Sequence, residues 1–265
     1  MFSAKRTADG ILIPVRVNDS ATTLWFIFDS GAARTIINRT TAGRLGLKAT
    51  SHGTITGVGA GSVPVDIVEG VSLSLASLHL DHLNLRVATI TGDAASSEPA
   101  VDGIIGYDLL CASVVTIDFQ APQLTVTMPG RFRAPSSAEV LPIKIRGGWI
   151  FVVGTIKVPG NPPVTDDFLV DTGSLDAVNH PIIRKSTGAL RSTRTGAGGF
   201  GQSQAGVIGH NEWFQIGRTR IPNTVSACCA ASEEVSRQIG QGILSHFRIT
   251  FDYPASRMIL QEQRQ

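Results

Sequence analysis

An all-β chain of two similar lobes is the fold this sequence predicts, on three observations. Short runs rich in Val, Ile, Leu and Thr alternate with turn residues, among 28 glycines and 13 prolines, the composition of strands joined by many turns. An apolar run that ends in an acidic triplet occurs twice, as LWFIFDSGA over Leu24 to Ala32 and as FLVDTGS over Phe168 to Ser174. The features after each triplet recur in the same order, with 142 residues between the two triplets and 134 between Asp118 and Asp252. A repeated order at near-constant spacing marks a duplicated unit.

Taken in order, Ile11 to Val17 reads as a first strand. Leu24 to Phe28 reads as a second, its unbroken apolar run suiting a strand buried on both faces. Thr35 to Ile37 continues extended, and Asn38 caps a short helix through Leu45 that Gly46 closes. Thr54 to Val65 holds a glycine-rich tip between two strand-like arms. Apolar residues alternate from Val71 to Val87, with the phase slipping at Ala76-Ser77 and near Asp81-His82, as strands that bend, bulge or turn require. Thr91 to Ala100 is a polar loop. VDGIIGYDLL follows at Val101 to Leu110, then strands at Val114 to Phe119 and Leu124 to Met128. Pro129 to Ala138 has the composition of a linker, which divides the chain into a lobe over 1–130, a linker over 131–138 and a lobe over 139–265.

In the second half, strands at Val140 to Ile145 and Trp149 to Val158 precede FLVDTGS. Asn179 is expected to cap a short helix with Pro181 in its first turn and Gly188 after its end. GAGGFG over Gly196 to Gly201 is a second glycine-rich tip. GQGILSHFRITFDY, from Gly240 to Tyr253, echoes the earlier DGIIGYDLL and VVTIDF, with Asp118 and Asp252 in matching places.

Several functions are excluded at this level. A net charge of +2 leaves no electrostatic footprint for nucleic acid or an anionic membrane surface. No apolar run reaches the roughly 18 residues of a spanning helix. The start, MFSAKRTADG, lacks the apolar core of a leader, so the expectation is either an internal protein or an exported one, periplasmic or extracellular, whose leader has been removed. Cys111, Cys228 and Cys229 show neither metal spacing nor a disulfide framework and are expected as buried apolar residues. GAGGFG fits a dinucleotide fingerprint but opens no helix. His79 and His82 sit in a strand-like run that does not put them on one face.

One Asp-Ser/Thr-Gly triplet is most simply a β-turn. Two, each delivered by a buried strand and each followed by a capped helix, bring Asp29 and Asp171 face to face. Carboxyls that share a site cannot both ionise easily, so one holds a proton while the other stays anionic. Such a pair can deprotonate a water for attack on a carbonyl and protonate the departing nitrogen. Gly31 and Gly173 let the backbones approach, and the Ser30 and Thr172 hydroxyls can lock the two loops together. This chemistry calls for no metal and no organic cofactor. Ser174 follows the second triplet where Ala32 follows the first, so a hydroxyl donated to Asp171 is expected to bias that residue toward the anion and leave the shared proton with Asp29.

On these motifs the chain, from about Ile11 to Leu260, resembles the aspartic proteases of the pepsin and retropepsin kind, and most closely bacterial retropepsin-like proteins with tandem lobes. The resemblance implies a bilobal acid-protease fold with a cleft between the lobes, and a hydrophobic-hydrophobic-Gly segment behind each triplet, Ile104-Ile105-Gly106 in the first and Ile243-Leu244 in the second, where Ser245 stands in place of the glycine. It implies an aspartic endopeptidase with Asp29 and Asp171 as the dyad and Ser30, Gly31, Thr172, Gly173 and Ser174 supporting it. A flap over an extended peptide or protein substrate maps to Gly57, Val58, Gly59, Ala60 and Gly61. Gly198, Gly199 and Phe200 form its counterpart in the second lobe. Both lobes in one chain imply a monomer. The alternative on the same fold is a peptide-binding module with little or no activity.

Overall fold

The computed structural model describes residues 2–7, 10–57, 59–90, 99–195, 200–228 and 236–263. It is mostly β, with short helices at Arg39–Arg44, Tyr107–Ala112 and Gln241–Leu244. No helix among the described residues is long and apolar enough to cross a membrane.

Eight strands make the first sheet, in the order Lys5–Thr7, Gly10–Val17, Leu24–Phe28, Gly103–Ile105, Ile36–Asn38, Leu78–Ala88, Ser62–Leu75 and Ser51–Thr56. Gly10–Val17 also pairs with Ser62–Leu75, Arg16 lying opposite Ser74, and this closes the central strands into a barrel. A closed sheet leaves fewer unpaired edges. The second sheet repeats the plan in the order Arg191–Thr195, Gln204–His210, Val225–Cys228, Val178–Asn179, Gln238–Ile239, Val164–Val170, Trp149–Lys157, Trp213–Ile216 and Thr219–Pro222, with Lys144–Arg146 added to Trp149–Lys157.

In both sheets the strand that leads into the Asp triplet pairs in parallel with a short strand from much later in the chain. Phe26 lies opposite Gly103 in the first and Leu169 opposite Gln238 in the second. The strand after the triplet then runs antiparallel to that short strand. Each triplet thus emerges between neighbours that hold its exit direction, and the strands that deliver it are buried: Phe26 and Phe28 in one, Phe168 and Val170 in the other are all at 0% exposure.

A third sheet of six strands joins the halves, in the order Phe2–Ser3, Gln123–Thr127, Val114–Asp118, Phe247–Asp252, Arg257–Glu262 and Glu139–Pro142. Its middle pair comes from equivalent positions of the repeat, and Thr116 lies opposite its own counterpart, Thr250. The two buried hydroxyls bond to each other at 2.7 Å. The two-fold relation between the halves passes between these residues, and the large side chains packed nearby, Phe28 against Phe251, join the first sheet to this one.

The local expectations fare unevenly. Leu24–Phe28 is a strand with those bounds. Asn38 caps Arg39–Arg44, its side chain accepting the Thr40 N–H. The slip at Ala76 is the hairpin turn between Ser62–Leu75 and Leu78–Ala88, and the one at His82 is a register shift where φ reaches +57°. Both residues take the left-handed conformation that an extra bulge residue or a tight turn requires. The second short helix, by contrast, is a 3-10 turn over Pro181–Lys185 capped by His180, whose Nδ1 accepts the Ile182 N–H at 3.0 Å, while Asn179 belongs to a strand. Cys111 is exposed, against expectation, and Cys228, though buried, is disulfide-bonded.

Replacing Thr116 by Val leaves the buried Thr250 hydroxyl without its partner, at a cost of about 1–3 kcal/mol. The double replacement by Val removes both polar groups, so urea unfolding should show it costing less than the sum of the two single changes. Strict additivity would mean that the pair does not interact.

Candidate active site

The two triplets meet where the first and second sheets face each other. Ser30 and Thr172 are both fully buried and make four hydrogen bonds across the two loops, two of them with each other. The Ser30 N–H donates to the Thr172 hydroxyl at 2.9 Å and the Thr172 N–H to the Ser30 hydroxyl at 3.0 Å. Each hydroxyl in turn donates to a strand-end carbonyl of the other half, Ser30 to Val170 at 2.7 Å and Thr172 to Phe28 at 3.0 Å. Both N–H groups and both hydroxyls are used, as burial of polar groups demands.

That exchange presses each glycine against the opposite carboxyl. A Cβ built on Gly31 lies 2.7 Å from Asp171 Cγ, and one on Gly173 lies 2.5 Å from Asp29 Cγ. Carbon atoms cannot approach so closely, so only glycine admits the two acids to one site. Asp29 and Asp171 are held alike from behind, the Asp29 N–H donating to Ile105 O at 3.0 Å and the Asp171 N–H to Ile239 O at 2.9 Å. Gly31 N–H donates to Asp29 Oδ1 at 2.7 Å and Gly173 N–H to Asp171 Oδ1 at 2.9 Å.

The glycine behind Asp171 is Gly240. A Cβ there lies 2.6 Å from Ser174 O and 2.5 Å from Asp176 O, as one on Gly106 lies 2.1 Å from Asp29 O and 2.5 Å from Ala32 O. Tyr107 N–H bonds to Ala32 O in the first half and Gln241 N–H to Ser174 O in the second. The segment equivalent to Ile104-Ile105-Gly106 is therefore Gln238-Ile239-Gly240, and the expectation that Ser245 replaces the glycine is corrected. The 134-residue separation of Thr116 and Thr250 also leads from Gly106 to Gly240. The apolar echo at Ile243-Leu244 is instead the counterpart of Leu109-Leu110.

Ser174 departs from expectation as well. Its hydroxyl accepts the Asp176 N–H at 3.3 Å, and it is the Ser174 backbone N–H that reaches Asp171 Oδ1, at 3.1 Å. A donor that sequence reasoning missed does reach the other oxygen: Gln238 Nε2, buried, lies 2.9 Å from Asp171 Oδ2.

Asp29 keeps a partly open face while Asp171 is buried. Burial raises the pKa of both, against the hydrogen bonds that favour the ions. Asp171 is pushed well above the ordinary carboxylate range, by burial first and then by the charge of Asp29. The hydroxyl thought to reserve the anion for Asp171 is thus turned away, and burial works in the opposite sense. Tyr253, buried and packed on Tyr107, is likewise raised by burial and stays neutral.

The two glycine-rich tips bond to each other. Gly59 N–H donates to Phe200 O at 3.0 Å, Ala60 N–H to Gln202 O at 2.8 Å and Gln202 N–H to Ala60 O at 2.9 Å. Phe200 packs on apolar residues of the first half, among them Ile27, Ile36 and Ile104. Gly57 and Gly59 come within contact of Phe200 and Gly201, while Gly61 takes φ +80° in the turn. Val58, Gly198 and Gly199 lie outside the described residues.

Residues 13–109 match a family model described as aspartyl protease. The match covers the strand before Asp29, the first triplet and the segment behind it. No curated protein matches the chain.

The dyad carries a stability signature. A carboxyl with a raised folded-state pKa binds its proton more tightly folded than unfolded, so stability falls as pH rises above the unfolded value of about 4. Asp171→Asn removes the buried charge. Its stability relative to wild type should improve from pH 3 to pH 7 in denaturant unfolding; a difference independent of pH would contradict the burial of the charge.

Proposed function

We propose that the chain is an aspartic endopeptidase of two lobes, over 1–130 and 139–265, that hydrolyses peptide bonds with a water activated between Asp29 and Asp171. The observation that supports this most is the reciprocal packing of Gly31 against Asp171 and Gly173 against Asp29, which leaves the two carboxyls one shared environment.

One carboxyl ionised and the other protonated is the working state. The anion takes a proton from water as oxygen attacks the carbonyl carbon, and the acid donates its proton to the carbonyl oxygen. Collapse of the tetrahedral adduct passes a proton to the leaving nitrogen, and the pair returns to its starting charge. The apparent pKa values belong to the pair and not to either residue. Because burial raises both groups, activity should reach into mild acidity and fall as pH rises through the upper value.

The substrate is read as an extended peptide beneath Gly57 to Gly61 and Phe200, with Val58, Gly198 and Gly199 assigned to the same cover from sequence. The bonds between the tips must open for a peptide to enter. One copy supplies both acids, which favours a monomer. Ser245 no longer speaks for a module that only binds peptides, since Gly240 backs the second triplet.

A digest of an unfolded protein and of a peptide library between roughly pH 3 and 7, where carboxylate pairs titrate, tests the reading. Wild type should cleave, and Asp29→Asn or Asp171→Asn should each lose activity by at least about 10³-fold, the scale expected for removal of an acid–base group. Binding without cleavage at every pH would identify a peptide-binding module.

A further inference from the structure

We infer that Gln238 is a positioning residue that sets how the shared proton is divided between Asp29 and Asp171. The inference rests on the reading of those two acids as a catalytic pair and adds a determinant that the repeat itself lacks.

Gln238 stands where Ile104 stands in the first half: Ile104 pairs with Ile27 two residues before Asp29, and Gln238 pairs with Leu169 two residues before Asp171. An isoleucine therefore satisfies the sheet at this position, and nothing in the strand pairing calls for an amide. Gln238 is 2% exposed. Its Nε2 donates to Asp171 Oδ2, and its Oε1 is buried with no hydrogen-bond partner among the described residues. Burying an unpaired acceptor is unfavourable, and the bond to Asp171 is the interaction that offsets it.

The effect on the dyad follows from the kind of donor each acid has. Asp171 receives the N–H groups of Gly173 and Ser174 on Oδ1 and the Gln238 amide on Oδ2, whereas Asp29 receives backbone N–H groups, from Gly31, Gly173 and Ala32, and among the described residues no side-chain amide. A hydrogen bond donated to a carboxylate favours the ion. Burial and the facing Asp29 charge drive Asp171 toward its acid, and the Gln238 amide draws it back toward the anion. The titratable group facing Asp171 is Asp29, whose charge also acts on Tyr253. Oδ2 is also fixed in orientation, since the amide is held in a buried strand.

Gln238→Leu, which keeps the volume, and Gln238→Ile, which copies the first half, remove the donor. Two readouts apply to each variant: the pH profile of kcat/KM and the 13C titration of the aspartate carboxyls. The sum of the pair's two apparent pKa values should rise by about one unit, the scale of one hydrogen bond to a charged group, and the rate profile should move to higher pH with it. Thermal unfolding confirms that each variant is folded. An unmoved sum in a folded variant overturns the inference. So does a fall, which would mean that Gln238 accepts a proton from Asp171 through Oε1. The carboxyl titration needs no turnover, so a chain that cleaves nothing would defeat the proposed function while leaving the role of Gln238 decided by the titration.

Discussion

The four hydrogen bonds that Ser30 and Thr172 make across the two loops, two with each other and two with the Val170 and Phe28 carbonyls, are the constraint on which the rest depends. They join loops that belong to different sheets and lie 142 residues apart, and all four are made out of water, where an unmade bond costs about 1–3 kcal/mol. Loosening them would separate the strand ends at Phe28 and Val170, and with them the two acids. The six-stranded sheet does the same task at a distance: its central pairing of Val114–Asp118 with Phe247–Asp252 fixes the two-fold relation that lets the loops meet as equals.

The symmetry has a cost that the site uses. Burial raises the pKa of both acids and the charge of Asp29 raises Asp171 further, so the fold carries a charge arrangement that weakens it at neutral pH. The protein keeps the arrangement through backbone donors at Gly31, Gly173 and Ser174. It breaks the symmetry by burial, since Asp171 is covered and Asp29 partly open, and by the Gln238 amide on one side only.

Much of this was legible in the sequence because its signals are local. An unbroken apolar run followed by Asp-Ser/Thr-Gly reads as a buried strand ending in a turn, and the Asn38 cap and the turn at Ala76 follow from short-range chemistry. What escaped is non-local. Gln238 interrupts an apolar stretch, so Gln238-Ile239-Gly240 does not look like Ile104-Ile105-Gly106, and the apolar pair Ile243-Leu244 draws the match five residues too far. The constant separation of Asp118 and Asp252 held the correct register. The side to which the Ser174 hydroxyl turns depends on the Asp176 backbone, and the bonds between the tips join segments whose sequences show only glycine. Neither can be read from spacing.

The central claim is that Asp29 and Asp171 form one coupled acid pair. Carboxyl 13C titration of wild type beside Asp29→Asn tests it most directly. Coupling predicts that wild type titrates in two separated steps and that Asp171, freed of the facing charge, titrates below the upper wild-type step in the variant. An Asp171 that titrates identically with and without Asp29 would contradict the account.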